Sequence, residues 1–262
     1  MLSNKNRLLG TCLLVLFALS YLLPFAATQD PVSLNLDNRF LAPSLDHLFG
    51  TDDLGRDVLS RVLHGFSITV MVSLAALVSA LLIGIFFGSI AGYFYKRWVD
   101  WIFNWVTSLI ISIPFLLIMA SILSLTKPNI IKAYLILTGI MWVNTARLVR
   151  ADVITRIHLE YVVASRAFGY PEWSILIRGI LPASMASAIL FSISYLPEII
   201  ALEAGLSFLG LGVQPPNPGL GKMIFDGLNY IYTAPWIALF PAFALFLLVL
   251  CINIIQGLLK DK

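Results

Sequence analysis

Residues 146–182 read ARLVRADVITRIHLEYVVASRAFGYPEWSILIRGILP, the one long polar interruption among otherwise very apolar runs. Val149, Val153, Ile157 and Tyr161 recur at three- and four-residue spacing with arginines between them, the period of a helix with one apolar face. Small residues follow at Ala164, Ser165 and Ala167, then Gly169 and Pro171, then a second apolar-periodic piece through Trp173, Ile177 and Ile180 that stops at Pro182. Glycine just past one helix and proline just inside the next punctuate a helix, a tight turn and a second helix. The stretch is expected to form a compact helical elbow on one face of a membrane domain. Because Pro171 cannot continue the first helix, Gly169 is expected to take the left-handed conformation at its C-terminal cap.

The flanks set the class. The 262 residues are 59% hydrophobic and 12% charged, with mean hydropathy +0.91, against about 25% charged in an ordinary soluble domain. This describes an all-α, polytopic membrane protein. Working back from the elbow, Ile130 to Ala146 is a span, and Trp101 to Leu125 another with a kink expected at Pro114. Lys96, Arg97 and Asp100 make a polar turn. Ser67 to Tyr95 carries no charge and places Gly84, Gly88 and Gly92 four apart, a spacing that lets helix backbones approach closely. Leu8 to Ala27 is an uncleaved first span, since Phe25-Ala26-Ala27 is a poor small-x-small cleavage site. Forward of the elbow, Ala183 to about Leu206 and Gly227 to Leu259 are the fifth and sixth, the last holding Pro235 and Pro241. Two regions are expected: 1–66, a first transmembrane helix with an outer-face amphipathic segment, and 67–262, the transmembrane domain carrying the elbow at about 151–182.

Between the first two spans the chain turns polar and reads HLFGTDDLGRDVLSRVLHG over residues 47–65. Asp52 with Arg56 and Asp57 with Arg61 are acid-before-base pairs four apart, and Val58, Leu59, Val62 and Leu63 form an apolar stripe. An amphipathic helix at the membrane surface is expected, either salt-bridged scaffold or part of a surface that receives a delivery protein. The fifth span holds Glu198 and Glu203, which sit at a helix end or line a pathway, because a carboxylate at a helix centre costs ~2.5–3.5 kcal/mol. The Gly- and Pro-rich stretch after it, 203–223, cannot lie exposed to lipid with its amides unsatisfied.

Sidedness follows from the basic residues. Only Arg39, Arg56, Arg61, Lys127, Lys132 and Lys222 fall opposite the elbow; the rest share its side, which places elbow and both termini in the cytoplasm. Catalytic chemistry is scarce. Gly219-Leu220-Gly221-Lys222-Met223 lacks the spacing and hydroxyl of a nucleotide loop, so no ATP is expected on this chain. His47, His64 and His158 lie near no nucleophile arrangement, Cys12 and Cys251 offer neither a disulfide framework nor a metal spacing, and the charge gives no reason to infer nucleic acid. A secondary carrier is the remote alternative; it would be expected to show internal repeats and intramembrane ionisable residues for ion coupling, and only the two glutamates of one span are seen.

Val163-Ala164-Ser165, then Gly169, then Ile180-Leu181-Pro182 resemble the E-A-A…G…I-x-L-P loop of binding-protein-dependent ABC importer permeases, with ARLVRADVI leading in. Val163 stands where that motif has its glutamate and Ser165 where it has its second alanine. Thr51, Asp52, Gly55, Arg56, Asp57 and Arg61, in GTDDLGRDVLSR, resemble a signature of the C-type subunit in the dipeptide, oligopeptide and nickel branch, as does EAGLSFLGLGVQPPNP from Glu203. The resemblance implies a type I importer permease fold with six transmembrane helices and Val163, Ala164, Ser165, Gly169, Pro171, Ile180 and Pro182 in a cytoplasmic loop that couples to an ATPase. It further implies a heterodimer with a second homologous permease, two ATP-binding cassette subunits that hold ATP and Mg, and an extracytoplasmic substrate-binding protein, in the inner membrane of a prokaryote. The expected cargo is a di- or oligopeptide, with nickel or a metal chelate as the alternative.

Overall fold

The computed structural model describes Val15, residues 17–114, 117, 118, 121 and 129–260, with side chains to residue 257 at the C-terminal end. The helices are α1 (Phe17–Ala26), α2 (Val58–Tyr93), α3 (Trp98–Ser112), α4 (Ile130–Arg156), α5 (Glu160–Ala167), α6 (Glu172–Ser194), α7 (Leu196–Phe208), α8 (Leu220–Leu228) and α9 (Trp236–Lys260). No strand occurs among the described residues, where β pairing is limited to an antiparallel bridge between Thr51 and Asp57. The stretches Val58–Tyr93, Glu172–Ser194 and Trp236–Gly257 are long and apolar enough to cross a bilayer. Much of the expected first span, and the expected third beyond Pro114, lies outside the described residues.

Several boundaries differ from the sequence expectation, each for a local reason. α2 absorbs the expected surface helix: it starts at Val58 and runs 36 residues, about 54 Å at ~1.5 Å per residue against ~30 Å of hydrocarbon. The helix is therefore longer than an upright crossing needs. α3 stops at Ser112, because the residue before a proline is pushed out of helical geometry; Ile113 takes φ −95°, ψ 125°, and residues 117, 118 and 121 beyond Pro114 are again helical, so the chain breaks where the kink is expected. The expected fifth span is two helices, broken at Tyr195 ahead of Pro197, which has no N–H to continue α6. The sixth begins at Trp236, with Pro235 immediately before its first turn and only Pro241 inside it.

By its contacts the chain forms two compact units. The first comprises Met1–Ala75, Ile122–Tyr134 and Leu196–Lys262. Its core joins Val58 and Val62 of α2 to Leu220 and Met223 of α8 and Ile237 of α9, with Phe49 stacked on Phe240 at 3.9 Å between centroids. The second comprises Ala76–Ser121 and Leu135–Tyr195. There the glycine stripe of α2 lies against α4: a Cβ on Gly84 would stand 2.7 Å from Thr145 Cβ, one on Gly92 2.8 Å from the Arg150 carbonyl, and one on Gly88 would overlap the Ala146 carbonyl. Backbones this close gain dispersion along their whole contact, which stands in for the hydrophobic effect where lipid is the solvent.

Candidate functional site

The elbow lies wholly within the second unit. α4 ends at Arg156, whose guanidinium donates to Asp152 at 2.7 Å; that hydrogen bond raises the Arg156 pKa above the ordinary arginine value. Residues 157–159 turn, and α5 follows with Glu160 in its first turn and Arg166 in its last, both favourable to the helix dipole. Val162 is fully buried in a cluster with Val149, Val153, Ile175 and Ile180, so one side chain roots the short helix in the body. Val163, next in sequence, faces away at 55% exposure.

The turn is a Schellman motif. Tyr170 N–H donates to the Ser165 carbonyl at 3.2 Å and Gly169 N–H to the Arg166 carbonyl at 3.0 Å, with Gly169 at φ +78°. The expected left-handed glycine is present, and a Cβ there would meet nothing within 4 Å, so backbone conformation, not space, calls for glycine. Pro171 then caps α6, and Glu172 accepts from Arg166 Nε at 3.1 Å and from the Tyr93 hydroxyl, tying the turn to the end of α2.

Pro182 does not end the second helix. It sits in the first α-helical turn of Leu181–Ser194, and the preceding Ile175–Ile180 is π-helical. The wider register takes up the missing Pro182 N–H and the clash of its ring with the preceding turn. Ile180 is fully buried, whereas Ala164, Phe168, Tyr170 and Trp173 stay exposed, Phe168 at 82%. The elbow thus presents an apolar and aromatic outer face that the described residues leave uncovered.

One anchoring pair escapes the sequence reading. Arg150 of α4 clamps Asp100 of α3 through Nε–Oδ1 at 2.6 Å and Nη2–Oδ2 at 3.0 Å, and the same carboxylate accepts from Lys96 N–H and Asn104. Burial is the largest single influence and would raise the Asp100 pKa; the Arg150 hydrogen bonds, the Lys96 N–H, the Arg150 charge and Asn104 together outweigh it and hold it below the usual carboxylate range. The signal available in the sequence was an acid in a polar turn and an arginine at a span end, with nothing to pair them.

The 51–61 signature belongs to the first unit and is built inward. Asp52 accepts Leu54 and Arg56 N–H at 2.9 and 3.0 Å and pairs with Arg56 Nε at 2.7 Å. Asp57 does not pair with Arg61. It caps α2 by accepting Ser60 N–H at 2.8 Å and meets His47 Nδ1 at 3.0 Å, while Arg61 donates to the Pro31 carbonyl at 2.7 Å. Thr51 Oγ1 accepts Leu41 N–H, and Thr51 offers its carbonyl to the Trp236 indole at 3.0 Å. Gly55, at φ +72°, packs directly on the Asn35 carbonyl. Thr51, Asp52, Asp57 and Arg61 are all buried, so the expected surface helix divides: residues before Val58 form a cross-linked loop capping α2, and Arg61 with the apolar stripe belongs to the first turns of α2. Asp53 is more open; burial and then the neighbouring Asp52 raise its pKa.

The two glutamates separate. Glu198 is exposed, and Glu203 is buried in α7, accepting the Ser207 hydroxyl at 2.8 Å. Ser207 Oγ in turn accepts Val213 N–H at 3.2 Å, so this carboxylate anchors the loop after α7, where Gly210 takes φ +75°.

Residues 84–262 match the family described as binding-protein-dependent transport system inner membrane component, and the chain belongs to it. It is a transport subunit, a membrane permease, not an enzyme. It is 34% identical, over 98% of its length and 85% of the relative's, to the dipeptide transport system permease protein DppC of Alkalihalophilus pseudofirmus. Identity to the Bacillus subtilis protein of the same name is 36%, over 98% of this chain and 81% of that one. The oligopeptide transport system permease protein OppC of Bacillus subtilis is 34% identical, over 99% of this chain and 85% of the relative. Permeases of this family work with ATPase and substrate-binding partners.

Proposed function

We propose that the chain is one of two homologous permeases in a heterodimer that imports di- or oligopeptides across a prokaryotic cytoplasmic membrane. ATP and Mg are held by two cassette subunits, and an extracytoplasmic binding protein delivers the cargo. The observation that carries the reading is the elbow: a short helix rooted by Val162, redirected at Gly169 and exposing Val163, Phe168 and Trp173. Such an element suits docking, because a partner that grips its apolar face gains area while the rooted side transmits displacement to α4 and α6. The peptide cargo is supported by the names of the relatives, and the cytoplasmic placement of elbow and termini by the basic residues on that side.

Uptake of a labelled dipeptide by cells with and without this subunit tests the reading. Uptake should need the subunit and stop on ATP depletion while the ion gradient is kept. Uptake that followed the ion gradient, or a nickel chelate competing where peptides do not, would overturn it.

A further inference from the structure

Two cavities of the second unit are lined by residues at or flanking the short turn between α2 and α3, and the first also takes Arg166, Glu172 and Trp173 from the elbow. One is a cup of about 630 Å³ lined by Tyr93, Phe94, Arg97, Arg166, Glu172 and Trp173. The other is a slot of about 360 Å³ whose walls include Phe87 and Ile90 of α2, Trp98 and Val106 of α3, and Trp142 of α4. The slot is lined by hydrocarbon and indole and holds no charged side chain.

The cup is electrostatically unbalanced. Glu172 is engaged by Arg166 and the Tyr93 hydroxyl, which leaves Arg97 as its uncompensated charge. Among the described residues neither Arg97 nor the adjacent Lys96 has a carboxylate partner; each lies over an aromatic ring instead, Arg97 5.7 Å from Phe94 and Lys96 5.4 Å from Tyr95. Both are exposed. The turn that aims them is held under constraint: Lys96 sits at φ +62°, a region a lysine seldom adopts, and its N–H is fixed by Asp100 at 3.1 Å, itself clamped by Arg150. Trp98 and Trp101, 73% and 69% exposed, mark this level as a membrane interface.

The cavities share no lining residue and Lys96 lines neither, so a ligand that serves both must cross the turn, with an anionic oxygen cluster on the exposed Arg97 and Lys96 and a hydrocarbon tail against Trp98 and Trp142. We propose that the 93–98 turn is a binding site for an anionic phospholipid, its phosphate on Arg97 and Lys96 and an acyl chain in the slot. The charge complementarity selects this lipid over a zwitterionic one, whose ammonium would meet two unpaired cations. Naming the cytoplasmic leaflet as its source rests on the orientation given under the proposed function. The site itself does not depend on the cargo.

The test uses the assembled transporter in phosphatidylcholine vesicles carrying a trace of photoactivatable phosphatidylglycerol or photoactivatable phosphatidylcholine, with labelled residues mapped by mass spectrometry. The phosphatidylglycerol probe should label residues 87–106 several-fold more than its counterpart. Lys96→Gln with Arg97→Gln should erase that excess, and Val106→Trp, which fills the slot, should lower labelling by both probes. Equal labelling of the parent by the two probes would mean ordinary surrounding lipid and overturn the proposal. So would displacement by soluble glycerol phosphate, which assigns the cup to a free anion, or protein cross-links in place of lipid ones, which assign the slot to the second permease. A wrong orientation would leave the preference intact and show instead as the preference following phosphatidylglycerol placed only in the other leaflet.

Discussion

Val163 and Gly169 carry the elbow's chemistry for opposite reasons. Val163 is 55% exposed, so a glutamate there costs this subunit little by itself. If its face is covered by an adapted ATPase, the same substitution buries an unpaired charge, at several kcal/mol. Val163→Glu should therefore leave the subunit at normal abundance and weaken co-purification of the ATPase at least about tenfold, the equivalent of ~1.4 kcal/mol; unchanged assembly would show the position to be free of the contact. Gly169 was legible from sequence because its signal is local: a helix end, a glycine and a proline two residues on. The open space around it, visible only in three dimensions, removes close packing within this chain as a reason for the glycine.

At the scale of elements, what the sequence hid is register and partnership. Acid-before-base spacing in 52–61 describes a helix and a capped loop equally well; the outcome turned on Asp57 capping α2 and on Gly50 and Gly55 taking positive φ. The π-helical turn before Pro182 is likewise invisible to a periodicity count, which sees side-chain faces and not carbonyl partners. The glycine stripe was legible, since spacing alone predicts a close helix pair, but not its partner α4. Asp100 and Arg150 join α3 to α4, with side chains only 7% and 20% exposed. Asp100→Asn strands the arginine and should destabilise the folded subunit by ~3 kcal/mol at neutral pH. The Asp100 pKa is depressed in the fold, so its contribution is present above the unfolded value of about 3.9 and fades as pH falls through the folded value below it. Melting of parent and variant in detergent should differ at pH 7 and converge only under strong acid; a difference already gone by pH 5 would contradict the pair's role.

For the whole molecule, apolar composition made the class legible, while helix breaks at Ser112, Tyr195 and before Trp236 were set by prolines whose effect the runs of apolar residues masked. Topology is checked at Phe168, 82% exposed on the elbow. Phe168→Cys, in a background lacking Cys12 and Cys251, should react with an impermeant thiol reagent only from the cytoplasmic side; labelling from outside intact cells would reverse the orientation.

The central claim is that the elbow couples ATP hydrolysis to transport, and Gly169→Val addresses it most directly. Left-handed geometry costs an L-residue ~1–2 kcal/mol, more for a β-branched one, little against the membrane body yet enough to re-aim an eight-residue helix. In reconstituted complexes the variant should insert at parental abundance while cargo-stimulated ATP hydrolysis and peptide transport fall together, with Gly169→Ala milder. Parental stimulation and transport in Gly169→Val would show that the elbow is not the coupling element.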